Sequence, residues 1–254
     1  GTERDDKKAF HWFEKAAENG SDSALTQLGI MYYKGLGISA DKSKAASFFL
    51  KAAEKNNSYA QHWLGYMYLY GKGLEKNGEL ANQWLSKAAD QNETGAIFEL
   101  GKQYWYGMGV PVNPEKAIVL LQKAGNDGHV IAQRILGYIY ADGGPEKGIP
   151  LDFEKAVQWF EKAARQDDAA GKMGLALLTL TGKGTPKNEE KGIRLLTQSA
   201  NMNYPSAMEL LGDFYREEKG DKKEAEKWYR RAAETGDKTV IESMKKKGVY
   251  PANP

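Results

Sequence analysis

The stretch Tyr104–Ala117, YWYGMGVPVNPEKA, decides how the chain is read. Gly107 and Gly109 follow a run of aromatics and precede Lys116, so the first question is whether they cradle a phosphate. A phosphate loop of the dinucleotide type needs a strand before it and a helix N-terminus facing the ligand. Here the preceding residues follow a helical pattern with no β-branched run. The pair also recurs as Gly35-Leu36-Gly37, Gly71-Lys72-Gly73 and Gly182-Lys183-Gly184, with Gly143-Gly144 in a variant copy. Glycine just past a helix end supplies the left-handed turn that closes it. The pair therefore punctuates a helix-loop-helix unit.

Other signals recur with it. Leu-Gly stands at Leu28-Gly29, Leu64-Gly65, Leu100-Gly101, Leu136-Gly137 and Leu211-Gly212, with Leu175-Ala176 in the fifth copy. Lys-Ala-Ala or a close relative stands at Lys15, Lys51, Lys87, Lys123, Lys162, Gln198 and Arg231. Most neighbouring copies stand 36 residues apart, and a fixed period of that length marks stacked helical units. Register slips only around GGPEKGIP and EEKGDK, in glycine-bearing loops where length changes cost least. In each unit the first helix places Ala24, Leu28, Met31 and Tyr32 on one face. The second places Ala45, Phe49 and Ala52 there. Small residues let helices approach, larger ones fill the gaps, and stacking buries the faces no single pair can hide. The pattern predicts an all-α protein, an α/α solenoid running over residues 1–254. It has a partial N-terminal helix at 5–19 and repeats near 21–56, 57–92, 93–128, 129–167, 168–203 and 204–236. A polar capping helix at 238–248 closes it.

Composition excludes several classes. The 254 residues carry 36 basic and 34 acidic side chains, and a net charge of +2 offers no field for nucleic acid. No apolar run approaches the roughly 18 residues of a spanning helix, so no membrane insertion is expected. Cysteine is absent, which removes disulfides and thiolate chemistry. The three histidines, His11, His62 and His129, lie in different units without metal-ligand spacing, and no G-x-S-x-G elbow exists. Neither catalytic residues, a metal nor a cofactor is expected, and charge runs such as Glu189-Glu190 read as solvated faces. Asn56-Asn57-Ser58 and Asn92-Glu93-Thr94 match the glycosylation pattern, yet they fall in turns where Asn is a good former.

The unit A-x3-LG-x2-Y-x2-G-x-G, a charged loop, then A-x2-W/F-F/L-x-K-A-A resembles the Sel1-like repeat, a longer cousin of the tetratricopeptide repeat. The resemblance covers nearly the whole chain and weakens in the fifth copy, at Leu175-Ala176 and Gly192, and in the sixth, whose loop lacks GxG. It implies a right-handed α/α solenoid and a non-enzymatic adaptor binding another protein on its concave face. That partner would be a bacterial effector, an envelope protein or a host protein, and the adaptor a monomer. The competing readings it implies are an immunity protein against a lipase-type effector, a secreted virulence factor, or a hydrolase of cell-wall or lactam material. It also implies a periplasmic or secreted protein, and a start at Gly1 rather than Met is compatible with a removed signal peptide.

Transferring the cousins' inner-wall positions from each Leu-Gly gives candidate binding residues. They are Ser23, Thr26, Ile30, Tyr33 and Lys34 in the first repeat, and Tyr59, His62, Tyr66, Leu69 and Tyr70 in the second. Phe98, Lys102, Trp105 and Tyr106 follow in the third, then Arg134, Tyr138 and Asp142 in the fourth. The last repeat gives Glu209, Asp213, Arg216 and Glu217, an acidic patch suited to a basic stretch of partner. Tyr66, Tyr70, Trp105, Tyr106 and Tyr138 are the expected anchors, because rings bury large areas at small entropy cost. The alternative is that some fill space between superhelical turns.

Overall fold

The computed structural model describes residues 5–251. Fourteen α-helices and no β-strand occur among the described residues, and consecutive helices pack as antiparallel pairs in an α/α solenoid. The chain divides into two compact units, up to His129 and from Val130. The first unit holds α1 (Asp6–Glu18) and the pairs α2 (Asp22–Lys34) with α3 (Lys42–Glu54), α4 (Ser58–Tyr70) with α5 (Gly78–Asp90), and α6 (Thr94–Tyr106) with α7 (Pro114–Asn126). The second holds α8 (Val130–Asp142) with α9 (Phe153–Arg165), α10 (Ala169–Thr181) with α11 (Glu189–Asn201), α12 (Pro205–Glu217) with α13 (Lys222–Glu234), and α14 (Lys238–Lys246).

Local chemistry sets these boundaries. Asp41, Asn77, Asn113 and Asn188 each accept a hydrogen bond from the backbone N–H three residues on, which starts the second helix of a pair. First helices begin after a left-handed residue, and Asn56 and Asn92 fill that place at φ +64° and +61°. The two Asn-x-Ser/Thr matches thus sit where Asn is used for its backbone.

The opening stretch is a helix end followed by a docking loop. Gly107 is left-handed at φ +68° and donates its N–H to the Gln103 carbonyl, while the Asn113 N–H returns to the Tyr104 carbonyl at 2.9 Å. Gly109 does a different job. A Cβ built there would lie 2.3 Å from Gly78 Cα, at the start of α5 in the preceding pair. The second glycine lets one repeat's loop touch the preceding repeat's backbone, a packing role rather than a phosphate cradle.

Burial follows the repeated residues. Leu28, Leu64, Leu100 and Leu136 are buried, and so are Ala45, Ala81, Ala117 and Ala156 across from them. The fifth copy departs from the pattern for a packing reason. Ala176 takes the glycine's place, and the small residue moves to the partner helix as Gly192, where a Cβ would meet Leu180 at 2.6 Å. After α8 the three added residues form a 3-10 turn at Pro145–Lys147 and a bridge between Gly144 and Ile149. In the sixth copy α12 is followed by a cap residue, Glu218, in the right-handed region, so its loop needs no glycine pair.

Candidate partner-binding surfaces

In the first unit the first helices bring a run of rings together. Trp63 is its hub: it lies face to face with Phe49 (centroids 5.3 Å apart, planes within 1°), and 5.0 Å from Tyr33, 5.8 Å from Tyr66 and 6.3 Å from Tyr59. Tyr66 continues to Tyr70 at 4.8 Å. The Tyr70 hydroxyl donates to Glu99 at 2.7 Å and accepts from the Lys102 ammonium at 2.6 Å. That ammonium also stands over the Tyr70 and Phe98 rings, 5.1 Å from each centroid. Burial, reinforced by the Glu99 carboxylate, pushes the Tyr70 phenol well above its ordinary range, so it stays a protonated donor. Tyr33, Tyr66 and Tyr70 are half-buried and Trp105 likewise, whereas Tyr59 and Tyr106 are exposed, at 44% and 60%. Tyr106 is close enough to Tyr70 to act on its phenol electrostatically.

Beneath this run sits a polar seam. His62 places Nδ1 3.2 Å from Glu93, whose carboxylate also caps α6 by accepting from the Ala96 N–H. Phe98 lies flat on His129, with centroids 4.1 Å apart. Burial lowers the pKa of both imidazoles, opposed by Glu93 and Glu99. The two therefore favour the neutral form.

Several expected contact residues prove to be interior. Phe98 is buried because His129 covers it, and Leu69 is buried in the pair interior. Thr26 is buried with its hydroxyl turned back to the Asp22 carbonyl at 2.9 Å. None of the three can meet a partner. The rings also serve packing: Tyr66 and Tyr70 are partly buried against core residues of their pairs. Ser23, Ile30 and Lys34 join none of the ring contacts named above.

The second unit differs. Arg134 is tied to Asp168 at 2.9 Å. Tyr138 sits edge-on to Phe160 at 5.0 Å, and burial raises its phenol pKa, with Tyr204 adding to the effect. Tyr138 and Asp142 line a cavity of about 210 Å³ between α8, α9 and α10. The acidic patch is a correction. Glu209 is buried and accepts from Ser243 at 2.6 Å and Lys247 at 2.7 Å. Asp213 takes Lys247 at 2.6 Å and the Tyr229 hydroxyl at 2.7 Å. Glu217 pairs with Arg216. The chain's own closing residues, just past α14, supply the basic group that a partner was expected to bring.

Sequence reasoning missed Trp63, Glu99 and Asp168. Trp63 stands one residue before its Leu-Gly, a place the pattern leaves variable. Glu99 showed one signal, an acid three residues ahead of Lys102 on a helix. Among the described residues, no group of three or more His, Asp or Glu side chains could hold a metal ion. No helix there is long and apolar enough to cross a membrane.

Comparison with known proteins agrees with this architecture. The family model described as Sel1 repeat matches seven consecutive segments: residues 1–21, 22–57, 58–93, 94–129, 130–168, 169–204 and 205–237. A solved Sel1 repeat protein from Oxalobacter formigenes superposes with a TM-score of 0.81 at 29% identity, covering 90% of this chain and 94% of that one. A protective antigen present in uropathogenic Escherichia coli strains, also of this fold, gives 0.78 at 33% identity over 93% of this chain and 51% of its own. The chitin synthase regulator SKT5 of Saccharomyces cerevisiae is 32% identical over 123 residues, 46% of this chain. The chain spans about a fifth of the length of the curated relatives it matches, 17% and 21%.

Proposed function

From the premise that the chain belongs to the Sel1 repeat family, a family of protein-interaction scaffolds, we propose that it is a non-enzymatic adaptor that grips another protein through the ring wall of its first unit. The observation that carries this is the unbroken run from Tyr33 through Trp63 and Tyr66 to Tyr70, with Tyr59 and Tyr106 exposed beside it. Half-buried rings held by neighbouring rings are already ordered, so a partner covering them loses little further side-chain entropy. The exposed pair supplies area, and Lys102, fixed by Glu99 and Tyr70, supplies a placed cation. The partner is a bacterial envelope or effector protein, or a host protein. A periplasmic or secreted location fits the likeness to a protective antigen.

The test is capture from the source organism's envelope fraction and from host fluids by immobilised protein. Tyr59→Ala with Tyr106→Ala should remove the specific bound species while helical circular dichroism stays unchanged. Equal capture by the double variant would refute this surface.

A further inference from the structure

The second unit carries the same ring site with four of its five rings replaced. Counted from the leucine of each Leu-Gly or its equivalent, Gly174 occupies the place of Trp63, Ala141 that of Tyr33, Leu177 that of Tyr66 and Thr181 that of Tyr70. Phe160 keeps the place of Phe49, the residue against which Trp63 stacks. Three of Trp63's four ring neighbours thus have counterparts in Ala141, Phe160 and Leu177. All three line the cavity of about 210 Å³, together with Gly174 and Thr181. Where unit one is filled by its own aromatics, unit two is hollow.

The chain cannot fill this space from position 174. A Cβ there would lie 2.6 Å from the Phe160 ring, which is wedged between Gly137 and Gly174. Tyr138 supplies one ring, edge-on to Phe160, and leaves the hollow beside it open. Asp142 and Lys183 stand among the lining residues, with opposite charges. The exposed Lys183 holds its ammonium over the Phe153 ring, 5.2 Å from the centroid, which places the cation beside the hollow.

We propose that this cavity receives an aromatic side chain, indole above all, from a peptide segment of the partner protein. Unit one supplies the precedent for the occupant: its own indole against the equivalent Phe, Tyr and Tyr. Opposite charges at the rim orient the flanking peptide, with an acidic or carboxylate group toward Lys183 and a basic one toward Asp142. The inference rests on the reading of the chain as a protein binder, and adds a second, separate anchor point to it.

The experiment uses the full chain, labelled for amide chemical shifts, with N-acetyl-tryptophanamide and N-acetyl-leucinamide as probes. The tryptophan probe should shift the Gly174, Leu178 and Thr181 amides saturably and bind about tenfold more tightly than the leucine probe. Ala141→Tyr restores the unit-one ring from α8, and should weaken that binding about tenfold or more with melting unchanged. Leu177→Tyr fills the same space from α10, and serves if the first variant disturbs the fold. Absence of saturable shifts in unit two, equal affinity for the leucine probe, or undiminished binding in both filled variants would each overturn the proposal. Partner capture through Tyr59 and Tyr106 is read separately, so failure of one does not imply failure of the other.

Discussion

Replacing Gly109 by alanine should destabilise the first unit far more than a glycine's backbone freedom alone explains. Gly128 is the control: it too is left-handed, at φ +90°, and a Cβ there would meet nothing within 4 Å. Gly128→Ala therefore reads the backbone cost by itself. That cost is about 1–2 kcal/mol for an L-residue in the left-handed region, less roughly 0.4–1 kcal/mol returned by a stiffer unfolded chain. The net is about 1 kcal/mol. At Gly109, φ +77°, the same strain applies, but the new methyl would stand 2.3 Å from Gly78 Cα and 2.8 Å from its carbonyl carbon. No side chain can swing away, so α5 must shift against the loop, adding roughly 1–3 kcal/mol of overpacking. Gly109→Ala should total about 2–4 kcal/mol. Urea unfolding followed by helical circular dichroism and tryptophan fluorescence measures both variants, fitted as coupled repeats because solenoids unfold by neighbour interactions. If Gly109→Ala falls within about 0.5 kcal/mol of Gly128→Ala, the docking role of the second glycine is wrong.

Other expectations follow from the same contacts. Trp63→Ala removes the ring stacked on Phe49 and should cost about 3 kcal/mol, the lower end for a core aromatic because Trp63 is half-buried; a urea midpoint change worth under about 1 kcal/mol would contradict its role as hub. His62 and His129 have folded pKa values held below the ordinary 6.5, so the unfolded chain binds more protons under that pH. Stability should be complete above about pH 6.5 and fall as acid is added, by at most about 1.4 kcal/mol per pH unit per histidine. His62→Gln should flatten this slope without abolishing it, since His129 remains; an unaltered slope would remove His62 from the explanation. Lys247→Met leaves the buried Glu209 carboxylate without its cation and should cost about 1–3 kcal/mol, nearer the low end because Lys247 is over a third exposed. Adding Glu209→Gln should restore part of that loss in thermal unfolding.

The repeat frame was legible because its signals are local. Leu64 and Ala81 mark faces by spacing, and Gly107 marks a helix end by the conformation only glycine adopts cheaply. What Gly109 does was not legible, since its neighbour Gly78 lies 31 positions back and only stacking brings them together. The candidate surface was read by transferring positions from one repeat to the next, and that assumes every repeat presents the same face. Phe98 breaks the assumption because His129 arrives from the following turn to cover it. Glu209 and Asp213 break it because the chain's closing segment brings Lys247 onto them. Both are decided by contacts about 30 residues or more away, which a single repeat does not encode. Trp63 escaped for the opposite reason: nothing in the pattern requires a large residue there, as Gly174 demonstrates.

Site-specific photo-crosslinking tests the central claim most directly. A benzophenone amino acid placed singly at Tyr59, Tyr106 or Val119 compares the ring wall with an exposed position on α7, a second helix. In the source organism, or mixed with its secreted targets, Tyr59 and Tyr106 should yield the same covalent protein adduct by mass spectrometry, and Val119 none. Adducts at Val119 with none at Tyr59 or Tyr106 would place the binding surface on the second helices and contradict the account.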